Sequence, residues 1–332
     1  MITKYMDFLK SDSFLLPLGI PSGTELEFSV LGQGEYNLNY TFIHPVSGKK
    51  LVLRINTGSQ MHLDNQIEYE FSALQSLETS NRTPKPLCCY PGQKMLVMEH
   101  LPGKALDYHT DMDIAARILA DIHCTPIPKG CRLLNPSHPA RAIYDECLQM
   151  VQHYFDWENA DPTVCGLLHT LVEEIGNLPL TEHSDAPKCI VNTELNSGNF
   201  LIDPNGRSHL VDWEKPLISE PAQDLGHFLA PTTTYWKTDV ILTPQQVKDF
   251  AAKYVEAVGG RMDCSTLSHR LPLFFTVTCL RGVTWCAMAY REYCQPGREL
   301  RNEDTFKKLQ AYLEPEFLKN ILENYVRKDF LA

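Results

Sequence analysis

The sequence predicts an α+β protein, with strands concentrated in an N-terminal part and helices in a larger C-terminal part. Between residues 27 and 99, short runs rich in β-branched and aromatic residues alternate with glycine and proline turns, a pattern typical of strands. Beyond them, apolar residues recur at helical spacing over long segments. A length of 332 residues is enough for two lobes.

The N-terminal part is predicted to combine strands with one helix. Residues 1–25 are expected to form a short helix and a Pro/Gly turn, and strands are expected at residues 27–30, 51–55 and 94–99. Residues 65–77 carry apolar side chains at helical spacing and predict a helix.

Two glycines, Gly32 and Gly34, lie between predicted strands. Glycine lacks a Cβ and lets backbone approach a phosphate group closely. Two glycines in a hairpin are equally compatible with an ordinary turn, and Asn37 stands where the familiar motif has a third glycine.

The C-terminal part is predicted to be mostly helical. Predicted helices cover residues 111–123, 142–155, 162–177, 243–258, 272–293 (one helix or a pair) and 304–328, and another helix starts near residue 223. Thr243-Pro244 is a typical helix start, and Gly259-Gly260 is a typical stop.

The most informative stretch is residues 190–214, which predicts a strand, a polar loop, a hairpin and a terminal acidic pair. The hairpin turn is Asp203-Pro204-Asn205-Gly206. The hairpin should bring Glu194 and Asn199, on the loop, close to Asp212. Mg²⁺ prefers a few oxygen ligands from protein, completed by water and phosphate, so the stretch predicts an arrangement suited to phosphoryl transfer.

In these motifs the sequence resembles the aminoglycoside phosphotransferase and choline kinase-like family. Its members usually carry His-Gly-Asp-x-x-x-x-Asn, a short hairpin, Ile-Asp-Trp-Glu and then Asp-Leu. The corresponding residues here are Asn192-Thr193-Glu194, Asn199, Val211-Asp212-Trp213-Glu214 and Asp224-Leu225. Glu194 therefore replaces the usual Asp, and Asn192 replaces the usual His.

The resemblance covers residues 25–325 and implies a bilobal protein-kinase-like fold. Residues 1–103 would form a small antiparallel β-sheet lobe with one helix, which binds nucleotide. Residues 104–332 would form the larger helical lobe, with the catalytic loop, the metal site and the acceptor pocket.

The resemblance also implies ATP and Mg²⁺ as cofactors and assigns a role to individual residues. Glu194 would orient the acceptor hydroxyl and take its proton, while Asn199 and Asp212 would bind the metal. Arg54 stands in the strand position of the phosphate-binding lysine, although an exposed strand arginine is the alternative. Glu70 is the expected partner of Arg54, with Glu68 as its rival, since periodicity does not decide which one faces inward.

The remaining assignments surround these residues. Gly32 and Gly34 would approach the phosphates, and the backbone of Glu99, His100 and Leu101 would contact the adenine edge at the hinge. Glu214 would assist the metal, and Asp224 would lie buried at a helix start and tie down the catalytic loop. Trp285, Tyr290 and Tyr293 would line the acceptor pocket or simply form core.

Net charge and cysteine content indicate which binding partners and which cell compartment to expect. The formal net charge of −11 argues against nucleic acid, and we expect neither a membrane segment nor a signal peptide. The eleven cysteines are scattered, which favours reduced thiols and a cytoplasmic protein. The expected partner is a small-molecule hydroxyl acceptor, such as a sugar, an amino alcohol or an aminoglycoside-like compound; the oligomeric state stays open.

Three hypotheses follow. The first is an ATP- and Mg-dependent small-molecule kinase. The second, motivated by Asn192 and Glu194, is a pseudokinase-type protein that binds nucleotide or ligand without turnover. The third is another ATP-dependent transfer on the same scaffold, such as nucleotidylation.

Overall fold

The computed structural model describes residues 2–34, 36–59, 61, 63–295, 302–328 and 330. The chain forms two compact units, each discontinuous in sequence. The first, called the sheet unit here, comprises Met1–Ala105, Thr125–Leu133 and Phe200–Pro216. The second, called the helical unit, comprises Leu106–Cys124, Leu134–Asn199 and Leu217–Ala332. The predicted division at residue 103 and the roles given to its two parts stay predictions.

The sheet unit is built on a five-stranded antiparallel sheet. Its strands are β1 (Ser29–Gln33), β2 (Asn37–Ile43), β3 (Lys50–Asn56), β4 (Pro86–Tyr90) and β5 (Met95–Glu99), in the spatial order β1-β2-β3-β5-β4. β2 and β3 pair along their whole length, so that Asn39 lies opposite Arg54. The β1–β2 register shifts between Val30 and Gly32, and this bulge bends β1 where the glycines begin.

Three α-helices and a hairpin accompany this sheet in the described part of the unit. The helices are α1 (Met6–Leu9), α2 (Asp12–Leu15) and α3 (Gln66–Leu77), and β7 (Phe200–Leu201) pairs with β8 (His209–Leu210) around the predicted turn. α3 buries Ile67, Leu74 and Leu77, as its apolar spacing predicts. Phe14 and Leu15 of α2 join Leu53 and Val97 of the sheet in one hydrophobic core.

Gly103 permits a close contact within the sheet unit. Its φ is +149°, and an added Cβ would lie 2.8 Å from the carbonyl carbon of Leu201. The next residue, Lys104, exchanges backbone hydrogen bonds with Ile202 at 3.0 and 2.7 Å. A side chain at position 103 would therefore push this segment away from the hairpin.

The helical unit contains a two-stranded antiparallel sheet and the remaining helices. The strands are β6 (Cys189–Val191) and β9 (Leu217–Ser219). The helices are α4 (Met112–His123), α5 (Pro139–Phe155), α6 (Pro162–Gly176), α7 (Pro221–Leu229), α8 (Pro231–Lys237), α9 (Pro244–Val258), α10 (Leu267–Cys294), α11 (Glu303–Leu313) and α12 (Pro315–Ile321). The α9 boundaries follow the predicted signals: Thr243 forms a capping box with Gln246, and Gly259 ends the helix at a φ of +58°. The predicted α+β composition is confirmed.

α10 is a single helix that begins five residues before the predicted start at Pro272. Arg270, in its first turn, makes a buried bidentate ion pair with Glu220 at 2.9 and 2.8 Å, which anchors the helix before the proline. Within the described residues, α10 is the one helix long and apolar enough to cross a membrane by length and composition. Of its apolar 18-residue stretch, 61% is buried inside the protein, as in the core helix of a globular unit.

Candidate active site

In the sheet unit, Arg54 on β3 gathers three polar side chains. Its Nη1 donates to Glu70 Oε1 at 2.6 Å and to Asp212 Oδ1 at 3.1 Å, and its Nε donates to Asn39 Oδ1 at 3.0 Å. Both Arg54 and Glu70 are buried. Burial would lower the pKa of Arg54, but the nearby carboxylates outweigh it and raise that pKa further. Position 54 therefore holds a permanent buried cation.

Glu70, and not Glu68, is the helix carboxylate that pairs with Arg54. Glu68 is exposed on α3, whereas the Glu70 side chain is 2% exposed. Burial is the main cause of a raised pKa at Glu70, and Arg54 opposes it. The second oxygen of Glu70, Oε2, is buried without a hydrogen-bond partner among the described residues. The ionised form of Glu70 therefore depends on Arg54.

Asp212 and Glu214 follow β8 in the same unit. Asp212 has a φ of +64°, an uncommon backbone conformation for a non-glycine residue, and its side chain is 32% exposed. Glu214 accepts a short hydrogen bond from Asn37 at the start of β2, and its backbone carbonyl accepts one from Gln66 Nε2 at 2.5 Å. Asn37, at the position of the missing third glycine, thus links β2 to the acidic segment.

Gly32, Gly34 and residues 99–101 also lie in the sheet unit. Gly32 is in β1, and an added Cβ there would meet no atom within 4 Å. Gly34 donates its N–H to Asn37 at 2.9 Å. Glu99 ends β5, and His100 and Leu101 follow it directly. The open space beside Gly32 suits a ligand that approaches the backbone.

In the helical unit, Asp224 on α7 holds the loop that follows β6. Its two carboxylate oxygens accept the backbone N–H groups of Asn192 and Thr193, each at 2.9 Å, and its Oδ2 lies 3.1 Å from His123 Nε2. The other ring nitrogen of His123 lies 2.9 Å from the hydroxyl of Tyr254, whose pKa is raised by burial. Asp224 and His123 are fully or almost fully buried, so the loop is fixed from inside the unit.

Thr193 stands where the resembled motif has glycine, and its backbone conformation is uncommon. Thr193 has a φ of +70°, in the left-handed region that favours glycine and disfavours β-branched residues. The family usually has glycine at this position. Thr193 therefore adopts a backbone conformation that glycine would adopt without steric strain.

Glu194 and Asn199 are on this loop. The Glu194 side chain is 23% exposed, and its Oε1 lies 3.3 Å from Arg281 Nη2. The Glu194 carbonyl accepts a hydrogen bond from Asn199 Nδ2 at 2.7 Å. With its amide nitrogen engaged, Asn199 keeps Oδ1 as the atom for a cation, and no donor to it occurs among the described residues.

The three aromatic candidates on α10 pack against other rings of the helical unit. Trp285 meets Trp236 edge-on at 5.3 Å, and Tyr290 and Tyr293 both stack on Phe306, at 5.6 and 6.1 Å. All three are half-buried beside the core cluster of α10 and α11. These ring contacts explain how the three side chains pack. Their role in an acceptor pocket stays a prediction.

Sequence reasoning missed several residues that support the site. They are Arg281 beside Glu194, Glu146 beside Arg281, His123 behind Asp224, Tyr254 behind His123, and Asn37 beside Glu214. Only Asn37 had a local signal, since it replaces an expected glycine. The others are distant in sequence from the residues that they support.

Comparison with known proteins identifies the family. Residues 27–263, more than half of the chain, match the model of the phosphotransferase enzyme family (APH). A search of curated proteins found no significant match.

Solved structures show the same fold at low sequence identity. An ethanolamine kinase from Plasmodium vivax has 16% identity and a TM-score of 0.61, covering 89% of this chain and 84% of that chain. A choline kinase from Cryptosporidium parvum has 12% identity and a TM-score of 0.65, covering 97% of each chain. The choline kinase LicA from Streptococcus pneumoniae has 16% identity and a TM-score of 0.59, covering 94% of this chain and 96% of that chain.

These similarities confirm the predicted protein-kinase-like α+β fold, with an antiparallel sheet and helix in the N-terminal region and helices beyond. The order of motifs in the sequence agrees with the match of the family model. The chain belongs to the phosphotransferase enzyme family.

Proposed function

We propose that the protein is an ATP- and Mg²⁺-dependent phosphotransferase that acts on a hydroxyl of a small molecule. The main observation supporting it is the loop that carries Glu194, tied by two buried hydrogen bonds to Asp224. A loop held this firmly presents Glu194 and Asn199 in a defined geometry, which transfer reactions require.

Each assigned residue has a task under this proposal. Glu194 orients the acceptor hydroxyl and takes its proton late, as the hydroxyl oxygen bonds to the γ-phosphorus and ADP leaves with the electrons of the broken bond. Arg54, held by Glu70, binds phosphate oxygens, and the Gly32 and Gly34 backbone approaches the same phosphates. The backbone of Glu99, His100 and Leu101 contacts the base.

The residues assigned to Mg²⁺ have the right chemistry for a hard cation. Asp212 offers a partly exposed carboxylate, and Asn199 offers Oδ1. Bound Mg²⁺ would neutralise negative charge on the phosphates. Glu214 supports the segment that carries Asp212, through its hydrogen bonds to Asn37 and Gln66.

The test is product analysis with a panel of acceptors. The fold neighbours include kinases named for ethanolamine and choline and a phosphotransferase named for spectinomycin, so these three compounds and a set of sugars form the panel. We expect one acceptor to gain a phosphate, detected by mass spectrometry, in the presence of Mg-ATP. Glu194→Gln and Asp212→Asn should abolish the product, whereas Asp145→Asn, in an exposed ion pair on α5, should not.

Two outcomes would favour other functions. An acceptor that gains AMP would indicate nucleotidylation. Nucleotide binding with no product from any acceptor would favour a pseudokinase-type protein. One observation points toward that second candidate, because the Asp212 carboxylate, assigned to the metal, pairs with Arg54. Localisation in the cytoplasm stays a prediction.

A further inference from the structure

Arg281 on α10 is a half-buried arginine placed between two glutamates of the helical unit. Its Nη2 lies 3.3 Å from Glu194 Oε1, and its Nε lies 3.4 Å from Glu146 Oε2 on α5. The Arg281 side chain is 14% exposed. Burial would lower the pKa of Arg281, but the two glutamates outweigh it and raise that pKa, so the guanidinium stays charged.

Connecting α10 to α5 does not account for the position of Arg281. Arg291, ten residues further along the same helix, already links the two helices by donating to the carbonyl of His153 at 2.6 Å. In the part of the chain that the structure describes, Arg291 makes no ion pair with a carboxylate of the candidate site. A connection between α10 and α5 therefore does not require an arginine that contacts Glu194.

Glu194 needs a partner because of its length. A glutamate has one more carbon than the family's usual aspartate, which moves its carboxylate by about 1.5 Å and adds a rotatable bond. Asp224 fixes the loop backbone just before Glu194, but it does not hold the end of that side chain. Among the described residues, Arg281 is the only side chain that makes a hydrogen bond or ion pair with the Glu194 carboxylate. Glu194 Oε2 stays available for an acceptor.

We propose that Arg281 is a positioning residue that holds Glu194 in the catalytic geometry. Arg281 anchors Oε1, Glu146 holds Arg281 from the other side, and Oε2 receives the hydroxyl proton. In this chain the Glu194–Arg281 pair thus replaces the shorter aspartate. The inference rests on the proposed function, since it assigns a task within the same reaction.

The experiment measures ADP formation from Mg-ATP with water as the acceptor, in a double-mutant cycle between Arg281→Gln and Glu194→Asp. We expect Arg281→Gln to lower kcat by about 30- to 100-fold, because misplacement by about 1 Å costs roughly that much. The KM for ATP should change less than about threefold. In the Glu194→Asp background the shorter carboxylate no longer reaches Arg281. There, Arg281→Gln should lower kcat by less than about threefold.

Two further variants separate positioning from folding. Arg281→Lys keeps the charge and should recover part of kcat, whereas Arg291→Gln, the matched control on α10, should leave kcat unchanged. Thermal unfolding of every variant checks that it is folded. An equal loss from Arg281→Gln in both backgrounds, or a kcat within about threefold of wild type, would overturn the inference. Absence of ADP formation by the wild type, both with water and with every compound of the acceptor panel, would instead overturn the proposed function, and the inference with it.

Discussion

Replacing Arg54 with methionine should destabilise the protein strongly, because it leaves Glu70 buried without a cation. Arg54 Nη1 and Glu70 Oε1 are 2.6 Å apart, and the two side chains are 8% and 2% exposed. At an effective dielectric constant of about 20, this distance corresponds to about 6 kcal/mol of attraction before desolvation is counted. Removing one partner of such a buried pair costs about 3–5 kcal/mol of unfolding free energy, which is the expected loss.

A double variant distinguishes the cost of burying an unpaired charge from the cost of lost packing. Arg54→Met combined with Glu70→Leu removes both charges and keeps apolar volume, so it should recover most of the loss, to within about 2 kcal/mol of wild type. The contact to Asp212 contributes less, since that carboxylate is 32% exposed and solvent screens it.

The destabilisation should also depend on pH. Burial already raises the pKa of Glu70 in the folded protein, and loss of Arg54 raises it further. An acid with a raised folded-state pKa is more protonated in the folded state, so its contribution to stability is lost as pH rises through that pKa. The loss of unfolding free energy in Arg54→Met should therefore be larger at about pH 8 than at about pH 5.

Urea unfolding at both pH values measures these free energies, with far-UV circular dichroism as the signal. A loss below about 1 kcal/mol at both pH values would refute the assigned role of Arg54 as the buried partner of Glu70. An unchanged loss between the two pH values would refute the part of the reasoning that concerns Glu70 ionisation.

Three further substitutions test the packing around the site. Asp224→Ala should cost about 3–5 kcal/mol in urea unfolding, since two buried N–H groups and His123 lose their acceptor; a loss below about 1 kcal/mol would contradict this. Gly226→Ala should cost about 1–3 kcal/mol, because the new Cβ would lie 2.7 Å from the Phe274 backbone, while Gly166→Ala, with open space around it, should cost nothing. Gly103→Ala should lower the melting temperature clearly, because its φ and its contact with Leu201 both exclude a side chain, and Gly92→Ala is its control.

The parts of the fold that could be predicted are those with local signals. The α9 boundaries followed from Thr243 and Gly259, and the β7–β8 hairpin followed from its turn residues. The start of α10 could not be predicted in the same way. Its first turn is anchored by Arg270 and Glu220, which are 50 residues apart in sequence.

The candidate site shows the same division between local and distant signals. Asp224 was recognisable because an Asp-Leu pair stands at a helix start in the family pattern. Periodicity could not choose between Glu68 and Glu70, because both lie on one helix and the choice depends on what Arg54 contacts. Arg281 gave no signal, since it approaches Glu194 across 87 residues of sequence.

The most direct test of the central claim is steady-state ADP formation by wild type and Glu194→Gln at saturating Mg-ATP in the presence of the acceptor panel, with nucleotide affinity measured for both. The account predicts turnover by the wild type, at least about 100-fold less in Glu194→Gln, and unchanged nucleotide affinity. Equal turnover in the two proteins, or nucleotide binding without turnover in either, would contradict it.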